Sequence, residues 1–277
     1  MVRIARERFA LGSYQYLRYP FSYFLNTAAE LEIPNVELWA AGPSFCLDTM
    51  DEVQLREKAA EVRERELKVC CITPEQCQYP ANLAAEDDRL REYSIGYFKR
   101  AIHAAGVMEC PKVLVSAGCG YFNRSQEEAW KRSEDSLYQL AKAAQNAGIL
   151  LVLETLTPLS SNILNTPEQQ RAMIARMPEG SMRPMLDIGQ MVYMGQKLER
   201  YLQHGELLEH VHLHDSHPAV HMALGDGDLP LTEYLELLEA SGYRNLYALE
   251  LNDPRYRENP READRQSVRW LWEHQIF

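Results

Sequence analysis

Short apolar, β-rich runs alternate with longer stretches of helical apolar spacing along the whole chain, and that order predicts a parallel sheet covered by helices. Eight such pairs can be counted. The predicted strands lie near 9–14, 35–39, 68–73, 112–117, 149–154, 183–187, 209–214 and 246–251. The predicted helices follow near 21–31, 51–65, 87–107, 126–147, 167–177, 192–203, 230–242 and 260–274. Within 134–147, Leu137, Leu140, Ala141 and Ala144 recur at i, i+3, i+4 and i+7, and Gly148 supplies the stop. The run Ile149-Leu150-Leu151-Val152-Leu153 is apolar throughout, as suits a strand buried on both faces. Joined by right-handed crossovers, eight pairs predict a closed (β/α)8 barrel. The connections Thr73 to Asp88 and Asp215 to Leu229 exceed the usual length and are expected to shape a pocket.

Length agrees with that picture, because 277 residues with 46% hydrophobic content suit one barrel domain spanning 1–277. No linker, low-complexity region or repeat beyond the βα unit interrupts it. A net charge of −11 opposes binding to nucleic acid, which needs clustered Lys and Arg. The segment Met1 to Arg8 carries three Arg but leads into no apolar signal core, and no long apolar span follows, so a cytoplasmic protein without membrane contact is expected. Six cysteines (Cys46, Cys70, Cys71, Cys77, Cys110, Cys119) form no CxxC pair and are expected to be reduced. Cys119, in the Gly-rich Ala117-Gly118-Cys119-Gly120, is expected on a loop near the barrel mouth.

Candidate chemistry gathers at the C-terminal ends of the last four strands, where an α/β barrel keeps its active site. Glu154 follows strand 5, Asp187 ends strand 6, His212 lies on strand 7 and Glu250 on strand 8. Three carboxylates and an imidazole form a donor set for a divalent ion of the Mn, Mg or Co type, with positions left open for substrate oxygens. Alternation directs His210, His212 and His214 to one side of strand 7; His212 is the chosen ligand, His210 being deeper and His214 nearer the loop, suited to substrate or ligand-supporting contacts. Any one of the four alone reads equally well as a hydrogen-bonded structural group. Crowded at one mouth, three carboxylates call for a cation.

These residues resemble the xylose isomerase-like TIM barrels, most of all fructoselysine 3-epimerase and the D-tagatose/D-psicose 3-epimerase group. The likeness is carried by Asn35-Val36-Glu37-Leu38-Trp39, Thr73-Pro74-Glu75 with Tyr79-Pro80 and Asn82, and Leu153-Glu154-Thr155-Leu156-Thr157-Pro158. Met185-Leu186-Asp187-Ile188, His210-Val211-His212 with Asp215-Ser216, His221 before Gly225-Asp226-Gly227, and Leu249-Glu250-Leu251 complete it. The resemblance implies metal ligands at Glu154, Asp187, His212 and Glu250, with the two glutamates as the acid/base pair. It implies a manganese-dependent sugar isomerase or epimerase (cobalt, magnesium or nickel also fitting the site) that inverts a carbon next to a ketose or ketosamine carbonyl through a metal-bound enediolate. A homo-oligomer, dimer or tetramer, is also expected. The same proton abstraction followed by loss of a β-substituent describes the alternative, a dehydratase or carbon-glycoside lyase.

The chain departs from the tagatose and psicose epimerases at three places: Ser160 and Gln190 replace a glutamate and a histidine, and Pro218 replaces an arginine. The remote substrate hydroxyls must therefore be held differently. Candidate substrate contacts are Glu75, Tyr79 and Asn82 from the strand 3 loop, Trp39 as a stacking wall or barrel filling, Gln190, His214 and, from the resemblance, His221. Gly225-Asp226-Gly227-Asp228 lacks the ligand pattern of a calcium loop and reads as a tight turn. Tyr256 and Arg257 are candidates for an association surface. A trinuclear zinc endonuclease would need histidines on early strands, and only His103 precedes position 204.

Overall fold

A computed structural model describes residues 2–42, 44–76, 81–217 and 219–277; Cys77, Tyr79, Pro80 and Pro218 lie outside the described residues. Eight parallel strands close into one barrel in sequence order: β1 (Phe9–Gly12), β2 (Asn35–Ala40), β3 (Lys68–Pro74), β4 (Lys112–Val115), β5 (Leu150–Leu153), β6 (Met182–Asp187), β7 (His210–Leu213) and β8 (Leu246–Leu249). Closure comes from β1 pairing with β8, with Phe9 opposite Tyr247 and Leu11 opposite Leu249. The helices between them are α1 (Phe21–Glu30), α2 (Glu52–Arg63), α3 (Asp88–Val107), α4 (Gln126–Ala147), α5 (Pro167–Ile174), α6 (Ile188–Tyr193), α7 (Leu198–Leu202), α8 (Leu231–Ala240) and α9 (Pro260–Glu273). None of them is long and apolar enough to cross a membrane.

Local sequence accounts for the helix ends. Asp51 and Gln54 form a reciprocal capping box at α2, and Thr166 with Gln169 forms another at α5, where Pro167 takes the first helical position. Gly148 ends α4 in the left-handed conformation at φ +71°. The alternation of each strand sorts its side chains into two layers. Leu151, Leu153, Val211, Leu213, Tyr247 and Leu249 face the helices, whereas Ala10, Cys71, Leu114, Val152, Met185 and Ala248 fill the barrel floor. Apolar groups below thus leave the upper interior to polar side chains.

Two expectations about boundaries are corrected. The helix expected at 192–203 is two helices: α6 starts at Ile188, directly off β6 with Asp187 as its cap, and the chain breaks before α7 at Gly195, whose φ is +60°. Five strands also stop earlier than expected, so Glu154 and Glu250 sit one residue past the ends of β5 and β8, each amide still bonded to the last carbonyl of the preceding strand.

Candidate metal centre

The four residues drawn from β5 to β8 meet at the barrel mouth. One ligating atom from each of Glu154, Asp187, His212 and Glu250 lies within 4.8 Å of the others. Glu154, Asp187 and His212 are buried, and Glu250 is nearly so, its side chain 13% exposed. His212 Nδ1 approaches Glu250 Oε2 at 2.6 Å and Asp187 Oδ2 at 3.7 Å. None of these three atoms makes a hydrogen bond, although each is sealed from solvent. Unpartnered buried polar atoms are costly. Three of them converging on one point, in a carboxylate and imidazole donor set, fit a divalent cation.

The supports around this point are built by neighbouring elements. Asp187 uses one oxygen to cap α6, accepting from the Gln190 amide at 2.7 Å, and the same oxygen accepts from His214 Nε2 at 3.2 Å. Its other oxygen is the unpartnered one. Gly189 makes the His214 approach feasible: a Cβ there would stand 2.0 Å from the His214 ring. On the far side, Glu37 of β2 is fully buried and meets His212 Nε2 at 3.0 Å, His210 Nε2 at 2.7 Å, the Tyr14 hydroxyl at 2.9 Å and the Thr73 hydroxyl.

Charge follows geometry. Burial and the neighbouring Glu250 carboxylate push the Glu154 carboxyl well above its usual range. Burial would raise Asp187 too, but the His214 imidazole outweighs it and holds Asp187 well below the carboxylate range. His212 is raised because the carboxylates of Glu37 and Glu250 overcome its burial. A cation bound here would therefore displace protons from Glu154 and His212.

Above the cluster opens a cavity of about 350 Å³, lined by Glu154, His212 and Glu250 at its base. Trp39 stacks on Tyr14 at a ring separation of 5.7 Å to form one wall. Glu75, Gln76, Gln190, Asn252 and Arg257 also line it, as does His221, whose Nε2 lies 3.8 Å from Glu250 Oε1 and 3.9 Å from Asp187 Oδ2. A roomier groove of about 760 Å³ lies elsewhere, beside Phe21 and Lys58, but none of the ligating clusters found among the described residues opens onto it.

Residues 25–274 match the family model of the xylose isomerase-like TIM barrel. The chain belongs to that family. Fructoselysine 3-epimerase of Shigella flexneri is 27% identical over 254 residues, which span 91% of this chain and 92% of that protein. Among solved structures, D-psicose 3-epimerase from Clostridium cellulolyticum H10 superposes with a TM-score of 0.80 at 16% identity, over 97% of this chain and 98% of that one. A 3-keto-D-glucoside 4-epimerase from E. coli gives 0.81 at 20% identity, over 96% and 99%. At such identities the solved structures speak for the shared barrel alone.

Within this xylose isomerase-like barrel, Glu75, Trp39, Gln190 and His221 border the cavity as expected of substrate contacts, and Ser160 does as well. His214 does not line it. Fully buried behind Asp187, it holds that carboxylate and accepts from the His221 amide at 3.1 Å, so its place is structural support of the cluster. Cys119 does not line the cavity either; its thiol faces Asn162 and its amide bonds Asn82. Tyr256 is buried with its hydroxyl on Asp226 and so offers no association surface, whereas Arg257 is exposed and borders the cavity. The tight turn at Gly225 is pinned by Asp215, whose carboxylate accepts from the amides of Ser216, Gly225 and Leu229. Sequence reasoning missed Tyr14, Gln15, Asn252 and the cavity role of Arg257. All four lie just beyond β1 or β8, the same strand-end signal that marked the quartet.

Proposed function

We propose that this protein is a divalent-metal-dependent sugar epimerase that inverts a carbon next to the carbonyl of a ketose or ketosamine. The reading rests on the buried quartet with its three unpartnered atoms at the base of a polar, sugar-sized cavity. It is supported by relatives named for 3-epimerization of fructoselysine and of psicose, and for 4-epimerization of a 3-keto-glucoside. Each of those names places the inverted carbon beside a carbonyl.

Glu154, Asp187, His212 and Glu250 would hold the ion, manganese being the first candidate with cobalt, magnesium and nickel alternatives. A bound divalent ion supplies Lewis acidity that polarises the substrate carbonyl and acidifies the adjacent C–H. One of the two glutamates, Glu154 or Glu250, takes that proton onto a carboxylate oxygen. The C–H electron pair moves into the enediolate, and the other glutamate delivers a proton to the opposite face of the same carbon. Each general acid or base step is worth about 10²–10⁴-fold. Asp187 and His212 keep the two glutamates in register, and the Trp39 and Tyr14 wall excludes water from one side of the cavity.

The far side of the cavity bears on substrate choice. Ser160, Gln190, Asn252 and Arg257 present hydrogen-bonding and cationic groups there, with Glu75 the nearby anion. An anion and a cation among the lining residues suit the amino-acid portion of a ketosamine better than a plain hydroxylated tail. The test is turnover of fructoselysine, psicose, tagatose and ribulose with Mn²⁺ in D₂O, followed by NMR. An epimer carrying deuterium at one carbon beside the carbonyl is expected. An elimination product would instead establish the dehydratase or lyase chemistry.

A further inference from the structure

A second acid and histidine cluster lies beneath the first and shares one residue with it. Glu37, His210 and His212 bring their ligating atoms within 4.8 Å of one another, and all three are fully buried. Unlike the upper quartet, this cluster has its carboxylate saturated. Glu37 Oε2 accepts from His210 Nε2 at 2.7 Å; Oε1 accepts from His212 Nε2 at 3.0 Å, the Tyr14 hydroxyl at 2.9 Å and the Thr73 hydroxyl. Four donors converging on two oxygens leave no room for an ion and favour the ionised carboxylate. The consequence falls on His212. A neutral imidazole has one N–H and one lone pair; with its N–H committed at Nε2 to Glu37, the lone pair sits on Nδ1, the atom that points to Asp187 and Glu250.

We infer that Glu37 is the positioning residue of the metal centre: from across the barrel it fixes the protonation and orientation of His212 so that Nδ1 is the ligating atom, with His210, Tyr14 and Thr73 locking Glu37 in turn. Carboxylates that accept the second ring N–H of a metal-bound histidine typically govern metal affinity by about 10–100-fold. The inference rests on the metal reading above and adds to it a residue on β2 that touches neither ion nor substrate. Tyr14 gives this arrangement a link to the cavity, since its ring lines the wall while its hydroxyl is spent on Glu37.

Isothermal titration of the metal-free enzyme with Mn²⁺ alone, comparing wild type with E37Q after circular dichroism has confirmed folding, separates the two claims. Mn²⁺ affinity lower by about 10–100-fold in E37Q is expected. Wild-type protein that binds no Mn²⁺ overturns the metal reading itself. Tight binding by wild type with unchanged affinity in E37Q overturns the role of Glu37 and leaves the metal reading standing. Should E37Q fail to fold, long-range ¹H–¹⁵N NMR of the Zn²⁺-loaded wild type decides the matter. A His212 ring protonated at Nε2 with Nδ1 metallated supports the inference, and metallation at Nε2 refutes it.

Discussion

Of the overlapping acid and histidine groups in the barrel interior, the two that share the His212 imidazole are satisfied in opposite ways. Around Glu37 both carboxylate oxygens are met by donors, and the single atom of that cluster without a partner outside the shared imidazole is His210 Nδ1. Glu250 Oε2, Asp187 Oδ2 and His212 Nδ1 are buried without a hydrogen bond, facing one another and, at 3.9 Å from Asp187, the His221 ring. Composition does not separate a structural cluster from a site awaiting a ligand, since both hold carboxylates and imidazoles at similar burial. The count of unmet lone pairs does. A saturated cluster is finished by the fold, whereas an unsaturated one stores a cost that only a cation or protons can relieve.

The harshest way to probe this contrast is to neutralise one member of the unsaturated cluster. E250Q is expected to lower kcat by about 10²–10⁴-fold with folding intact, because a proton-transfer group is lost from a site that packing does not depend on. Steady-state kinetics beside a thermal melt checks it; equal activity would place Glu250 outside the chemistry. Metal removal should register next. Saturating Mn²⁺ at about 100 times its Kd stabilises the fold by about 2.7 kcal/mol, so chelation with EDTA should lower the melting temperature by a few degrees. In E37Q that shift should shrink.

Proton competition sharpens the comparison further. Glu154 and His212 are both raised, so at acidic pH both hold protons that a cation must displace. Mn²⁺ affinity should therefore rise with pH, read by titration calorimetry in two buffers of different ionisation enthalpy. A buried histidine remote from the quartet supplies the control. Burial, with Arg171 nearby, holds His204 down to about 4, below its unfolded value, so the unfolded chain binds the proton first. The stability it contributes is present above about pH 6.5 and is lost as pH falls toward about 4, at up to about 1.4 kcal/mol per unit. Urea midpoints of H204Q should show a shallower acid slope with Mn²⁺ binding untouched. The smallest expected effect is on the wall: W39A should raise KM about 2–10-fold and leave kcat nearly unchanged.

Much of this was legible in the chain before folding. The alternation of apolar runs and helical stretches specifies eight βα pairs, and each quartet member stands at the end of such a run, so position along a strand is enough to find it. Glu37 was visible too, within the strand 2 motif Asn35-Val36-Glu37-Leu38-Trp39. Its partners were not. His210 lies 173 residues away, and the two meet only when the barrel closes and brings β2 across from β7. The interrupted helix after β6 escaped for a local reason: Asp187 serves at once as strand end, helix cap and candidate ligand, so no loop separates the elements. His214 looked like a substrate contact because alternation gives the side a residue faces but not its depth. Gly189, by making room for that ring behind Asp187, sets the depth.

The measurement that bears most directly on the central claim is anomalous diffraction at the manganese edge from crystals soaked in MnCl₂. The account predicts a single strong peak within about 2.5 Å of His212 Nδ1 and of carboxylate oxygens from Glu154, Asp187 and Glu250. A map with no peak there, or with the ion bound elsewhere while this quartet stays empty at saturating manganese, would contradict it.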